Sequence, residues 1–209
     1  MLKDLRKQYD RFTLNESNIL ENPFQQFKLW LSEAIKNEEY EPNAMMLSTV
    51  DAELQPHSRM VLLKELTDEG FVFFTNYEGN KGIQILHNHQ VSLLFFWPVL
   101  ERQVRITGNA EKISEQDSEE YFKMRPLFSQ ISAWASPQSR KIPSREYLDK
   151  QFEHYKQQFG AKVPRPPFWG GFLVRPKTFE FWQGRPDRMH DRLLYTKNDQ
   201  QWEIYRLAP

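Results

Sequence analysis

The feature that most constrains this chain is a run of strand-like segments that follow one another with little or no helix between them. "HSRMVLLKEL" and "FVFFTN" are separated only by the turn "TDEG", and "QVSLLFFW" leads into the long polar-alternating "ERQVRITGNAEKI". "WGGFLVRP", "TFEFWQG", "HDRLLYT" and "WEIYRLAP" close the chain. Strands in hairpin succession pair antiparallel, whereas a parallel sheet needs a crossover after each strand. With "AMMLSTV", these seven or eight strands predict an α+β domain built on an antiparallel barrel and disfavour a doubly wound sheet. No Gly-x-Gly occurs, so neither a dinucleotide fingerprint nor a Walker loop is present. A nucleotide, if bound, must have its phosphate held by cationic and polar side chains.

Helices are expected around this frame. In "NPFQQFKLWLSEAIKNEEY" Asn22 can cap, Pro23 suits the first turn, and Phe24, Phe27, Leu31, Ala34 and Ile35 form an apolar stripe. "GNKGIQILHN" reads as a short helix. Ser114 caps a helix running to about Met124, which must stop at Arg125 because Pro126 follows. Another is expected from Leu127 to Ala135. A last one is capped by Ser144 and carries Leu148, Phe152, Tyr155 and Phe159 at helical spacing. Residues 1–21 are polar without sustained periodicity and read as a mobile arm; residues 22–209 read as a single domain.

Composition narrows the function classes. Lys plus Arg number 28 and Asp plus Glu 28, so no global field attracts nucleic acid or an anionic membrane, and any anion site must be local. There is no cysteine, which excludes disulfides, thiolate nucleophiles and cysteine-ligated metals. The five histidines lack ligand-spaced partners, so no metal site is expected. The opening "MLKDLRKQYDRF" has no apolar run, no secretory signal is expected, and a cytoplasmic enzyme or binding protein fits best.

Local charge is unevenly placed. "RPDRMHDRLLY" gathers three arginines, a histidine and two aspartates. If "RMHDR" is extended, Arg188, His190 and Arg192 share one face. Either this is an exposed basic strand edge or an anion sits beside it. In "SRMVLLKE", Arg59 and Lys64 fall on opposite faces of a regular strand, and serve one pocket only through a bulge, a bend or two ligand groups. Tyr121 and Arg125 lie one helical turn apart, with Ser129 just beyond, and all three can donate to a phosphate. Surface pairs of this kind are common. Gln103 and the Gln138-Ser139 loop could read a heterocycle edge or simply face solvent.

The order of "RMVLLK", "FFTN", "LERQV", "YFKMRP", "SPQS", "FWGGF", "FEFWQG", "RMHDRLLY" and terminal "RLAP" resembles the pyridoxine/pyridoxamine 5′-phosphate oxidase family over about Leu5 to Pro209. The resemblance implies an FMN-binding split β-barrel, a homodimer with FMN at the subunit interface. It implies oxidation of pyridoxamine or pyridoxine 5′-phosphate to pyridoxal 5′-phosphate, with dioxygen reduced to hydrogen peroxide. Carried over by position, Arg59, Met60, Val61, Leu62, Leu63, Lys64, Phe74, Thr75, Lys81, Gln103, Gln138, Ser139, Trp182 and Arg192 would contact FMN. Lys64, Tyr121, Arg125 and Ser129 would grip the substrate phosphate. Arg188 and His190 would lie over the substrate ring as catalytic residues, His190 also as proton acceptor, and Arg6 and Tyr9 on the arm would help close the site. Three positions depart from the pattern: Asn80 where an arginine is common, Phe74 for tyrosine, and Met189 for leucine. The rival readings are another flavin split-barrel oxidoreductase and a non-catalytic carrier of FMN or pyridoxal phosphate. Retained Arg188 and His190 and the "YFKMRP" cluster favour the oxidase.

Overall fold

The computed structural model describes every residue except Arg6, Glu38 and Gln200. The helical expectations are met at their caps. α1 (Pro23–Lys36) begins where the Asn22 side chain accepts the amides of Phe24 and Gln25. α3 (Glu115–Met124) is capped by Ser114 and ends as Arg125 turns extended before Pro126. α2 (Asn80–His87), α4 (Leu127–Ala135) and α5 (Arg145–Phe159) follow the sequence pattern. One position on α1 is corrected: Ile35 is 59% exposed, and Trp30, three residues beyond Phe27, takes the buried place instead. Ile35 adjoins Ala34 but sits about 100° further round the helix, beyond the stripe.

The strands are β1 (Ala44–Val50), β2 (Pro56–Leu62), β3 (Glu65–Leu66), β4 (Phe71–Asn76), β5 (Gln90–Trp97), β6 (Arg102–Lys112), β7 (Trp169–Gln183), β8 (Asp191–Asn198) and β9 (Gln201–Arg206). Every described pairing is antiparallel. The main order is β2-β1-β5-β6-β7-β4-β3, so β2 and β3, adjacent in the chain, stand at opposite ends of it. The two residues between them, Leu63 and Lys64, bond to Asn43 on one side and Val72 on the other. The expected single strand "HSRMVLLKEL" is therefore broken at this point, and the break closes the barrel.

"WGGFLVRP" and "TFEFWQG" are not two strands but one, β7, running through Pro176. The register with β6 shifts between Thr107 and Gly108, opposite the proline. A proline lacks a ladder donor, and a bulge accommodates it. β7 also divides the barrel: β4 pairs with its first half and β8 with its second, which is the split β-barrel arrangement.

The core explains the phenylalanine content. Phe71, Phe73, Phe95, Phe172, Phe179 and Phe181 are fully buried inside the barrel. α1 closes one end, with Phe27 edge-on to Phe71 at 4.9 Å and to Phe95 at 4.8 Å. Burying one such ring stabilises by about 1.5–3 kcal/mol, and Phe27→Ala would cost about 3–5 kcal/mol. A smaller apolar cluster, around Phe122, Ile131, Val163 and Trp169, seats α3, α4 and α5 beside the open side of β7. This places the end of α3 over the end of β4.

Candidate active site

The expected site residues fall into two groups. The first gathers at the end of β4. Asn76 turns the chain by accepting the amides of Glu78 and Gly79, which launches α2 and points Lys81 back toward the strand. Lys81 Nζ donates to Thr75 Oγ1 at 2.9 Å and to Gln138 Oε1 at 2.7 Å. Ser139, at φ 69°, accepts the amide of Asn80 through its hydroxyl. Arg59 on β2 donates to Leu47 O, Thr49 Oγ1 (2.6 Å) and Gln84 Oε1 (3.0 Å). All these acceptors are neutral. Burial and then the Arg59 charge pull the Lys81 ammonium down to about 8, and burial lowers Arg59 as well.

Across the same cleft, Tyr121 of α3 stacks on Phe74 with centroids 3.7 Å apart, and Arg125 lies 4.5 Å over the Trp169 ring. The Arg125 Nη1 atom is buried and has no hydrogen-bond partner. Burial depresses Arg125 and raises the Tyr121 hydroxyl. Met60, Val61, Leu62, Lys64, Phe74, Thr75, Lys81, Tyr121, Arg125 and Gln138 line one cavity of 310 Å³. Ser129 stands half-buried in the first turn of α4. The Leu63 side chain points into the core, and its amide and carbonyl are both bonded to Asn43, so the expected Leu63 contact is not offered to the cavity. Among the described residues, no carboxylate pairs with Arg59, Lys64, Lys81 or Arg125. Lys64 is exposed and the other three are half-buried, with the Arg125 Nη1 atom itself fully covered. A partly desolvated cation without a counter-ion is costly, and a group with several anionic oxygens is the chemistry that satisfies this donor set.

The second group lies at the other end of β7. Gln103 opposes Trp182, and Trp182 opposes Arg192. His190 packs on Trp182 at 4.6 Å, and Tyr9 meets both rings edge-on. Arg192 is held by Glu180 Oε1 at 2.8 Å and the Ala208 carbonyl at 2.7 Å. That ion pair raises Arg192. Arg188, His190, Tyr9 and Lys7 line a cavity of 900 Å³. Arg6 lies outside the described residues.

Two expectations about this stretch are corrected. "RMHDR" is not extended throughout: Pro186–Arg188 form a 3-10 turn with Asp187 and Arg188 at positive φ, and the strand begins only at Asp191. Regular alternation therefore does not place Arg188 beside His190; the turn does. His190 Nδ1 accepts the Arg185 amide at 3.1 Å, so a neutral ring carries its proton on Nε2 and offers the cavity a donor, not an acceptor. Burial, then Arg188, keeps this ring below the ordinary histidine value, with Asp191 opposing.

A single chain does not unite the two groups. Trp169 and Trp182 stand thirteen residues apart on β7, a separation of up to about 40 Å of strand. Sequence reasoning also missed several supporting residues. Thr49 and Gln84 hold Arg59, Glu180 holds Arg192, and Arg185 holds His190. Glu180 carried a signal, as a lone carboxylate inside the aromatic "FEFW", and Arg185 stood among the three arginines of "RPDRMHDRLLY"; Thr49 and Gln84 carried none.

The sequence and fold have known relatives. Residues 31–159 match the model of the pyridoxamine 5′-phosphate oxidase family, and residues 169–209 match that of the pyridoxine 5′-phosphate oxidase C-terminal dimerisation region. The chain is 49% identical over 209 residues to the pyridoxine/pyridoxamine 5′-phosphate oxidase of Cupriavidus taiwanensis, covering 100% of this chain and 99% of that one. It is 50% identical over 211 residues to the oxidase of the same name from Burkholderia thailandensis, with the same coverage. Among solved structures, PhzG from Burkholderia lata, in complex with tetrahydrophenazine-1-carboxylic acid, superposes with a TM-score of 0.91 at 27% identity, over 97% of this chain and 100% of its own. An FMN-binding, pyridoxamine 5′-phosphate oxidase-related protein of Nostoc punctiforme shares the fold at a TM-score of 0.71 and 17% identity, over 90% and 98% of the two chains. With two family models spanning most of its length and full-length relatives at half identity, the chain belongs to the pyridoxamine 5′-phosphate oxidase family.

Proposed function

We propose that this protein is an FMN-dependent homodimeric oxidase that converts pyridoxamine or pyridoxine 5′-phosphate to pyridoxal 5′-phosphate. The observation that carries the reading is the cleft lined by Lys64, Lys81 and Arg125, with the Arg59 charge close to Lys81; these cations have no described carboxylate partner, and Arg125 Nη1 is buried and unpaired. Its donor set fits two phosphate groups. Arg59 and Lys81, with Thr75, Gln138 and Ser139, would hold the flavin phosphate. Lys64, Tyr121, Arg125 and Ser129 would hold the substrate phosphate. When bound, FMN would take two electrons from the substrate carbon bearing the amine or alcohol and pass them to dioxygen, giving hydrogen peroxide.

The remaining residues are supplied by a second copy in this reading. Gln103, Trp182, Arg188, His190 and Arg192 of one subunit would complete the phosphate cleft of the other, since one chain holds the two groups far apart. The outer sheet face supports such an association: Met46 and Met60 are register partners, and with Phe96 they expose apolar surface at 36%, 60% and 51%. Arg188 would orient the substrate ring, and His190 would donate Nε2–H to it, with Tyr9 covering both. The chain's share of the work is to bind, orient and exclude water.

The rival, a flavin split-barrel enzyme acting on an unphosphorylated ring, leaves the second cationic group without a partner. The test is to give purified protein pyridoxamine 5′-phosphate in air and follow peroxide and aldehyde together. Equal amounts of both, from a yellow dimer, are expected. A colourless protein that takes up no added FMN would end the proposal.

A further inference from the structure

Two carboxylates near the Trp182–His190 group reach the N-terminal arm: Glu101 with both oxygens, and Asp191 with one oxygen that it shares with Arg185. The Glu101 side chain, only 2% exposed, accepts the amides of Asp10 at 3.0 Å and Arg11 at 3.3 Å, and pairs with Lys7 Nζ at 3.4 Å. Asp191, 16% exposed, accepts the Leu14 amide at 3.1 Å on Oδ2 and Arg206 Nη1 at 2.9 Å on Oδ1. Arg206 in turn donates to the Leu14 carbonyl and grips Glu16 through two bonds of 2.8 Å. The arm is therefore pinned at residues 10–11 and again at 14–16. Tyr9, one residue from the first pin, is thereby set against Trp182 and His190. Gly184 leaves room for it: a Cβ there would stand 2.7 Å from the Tyr9 Cβ.

We propose that Glu101 and Asp191 are positioning residues that latch the arm so that Tyr9 closes the substrate side of the site. The arm amides satisfy Glu101 while the arm is down, and a buried carboxylate that loses such donors must find water or pay for its isolation. The closed state is thus favoured without being locked. Its consequence for turnover rests on the oxidase reading above; the latch itself does not. Weakening it lets substrate escape before reaction and leaves the reacting geometry of closed molecules unchanged.

Glu101→Gln keeps the volume but replaces an ionised acceptor with a neutral amide, one side of which repels the arm N–H groups. Losing one charge-assisted bond changes an equilibrium by about tenfold or more. Tryptic cleavage after Lys7 and Arg11 should therefore quicken by about tenfold, and KM for pyridoxamine 5′-phosphate should rise by a similar factor. Bound flavin and kcat should stay as in wild type. Gly184→Ala, with Glu101 intact, should raise KM in the same way by displacing Tyr9. In a Tyr9→Ala background, Glu101→Gln should add nothing to KM, because the carboxylate acts through that ring. Unchanged proteolysis in Glu101→Gln overturns the latch, and so does a KM effect that persists undiminished without Tyr9. Loss of flavin together with lower thermal stability would make Glu101 a structural residue and overturn it equally. If wild type shows no oxidase activity, the oxidase reading fails, and the proteolysis rates alone decide the latch.

Discussion

Arg125→Met separates a residue that reads a phosphate from one that holds the fold. The guanidinium lies 4.5 Å over Trp169, and its buried Nη1 has no described partner. Methionine keeps the apolar stem against the ring, which alanine would lose. In the ligand-free protein the two contributions oppose each other: an unsatisfied buried donor costs about 1–3 kcal/mol, while a cation over an aromatic ring returns about 0.5–2 kcal/mol. The net change in stability should be within about 1 kcal/mol, or about 2–4 °C in Tm for a domain of this size. With phosphorylated substrate the balance changes, since two charge-assisted bonds of about 1.5–3 kcal/mol each are lost. That is about 3–6 kcal/mol, or roughly two to four orders of magnitude in kcat/KM. Unphosphorylated pyridoxamine, which on this reasoning is a poor substrate from the outset, should be nearly unaffected. The assay is kcat/KM for both amines in wild type and variant, with thermal unfolding of each protein stripped of flavin. Equal losses on both substrates, or a drop in Tm well beyond a few degrees, would refute the argument that Arg125 waits for a phosphate.

Lys81 gives a pH test with opposite slopes. Its folded value of about 8 lies below its ordinary 10.5, so the folded flavin-free protein binds fewer protons across that window and should gain stability as pH rises through it. Phosphate binding needs the ammonium, so FMN affinity should fall above about pH 8; urea unfolding and equilibrium dialysis at pH 7 and 9.5 would show both, and parallel slopes would count against this role. Phe96→Asp places a charge on an apolar outer face and should yield a monomer that retains little flavin, as sedimentation and absorbance would report; a yellow monomer would contradict a shared site. Gly108→Ala would put a Cβ 2.2 Å from the Arg175 carbonyl, opposite the β7 bulge, and should destabilise the fold by about 1–3 kcal/mol in urea titration.

Much of this protein is written in short-range patterns. The Asn22, Ser114 and Ser144 caps, the stop at Arg125-Pro126 and the strands β4 to β6 depend on neighbours within one turn or on a period of two, and a linear reading captures both. The zero net charge and the missing glycine loop likewise pointed to local cationic phosphate holders. Pairing partners are another matter. Whether "HSRMVLLKEL" continues or breaks depends on Leu63 and Lys64 bonding to different strands, and whether Pro176 ends β7 depends on β6 pairing on across a bulge at Lys177. Both choices are made by residues far away in the chain. The same holds at the site. The sequence lists Arg59 and Arg192 as equals, but tertiary structure gives the first only neutral acceptors and the second a buried carboxylate and a terminal carbonyl. His190 was legible as a candidate, yet the donor role proposed for it depends on a turn at Pro186–Arg188 that directs the Arg185 amide onto Nδ1. Chemical identity is carried by each residue alone; protonation, pairing and reach are set by what folding brings against it.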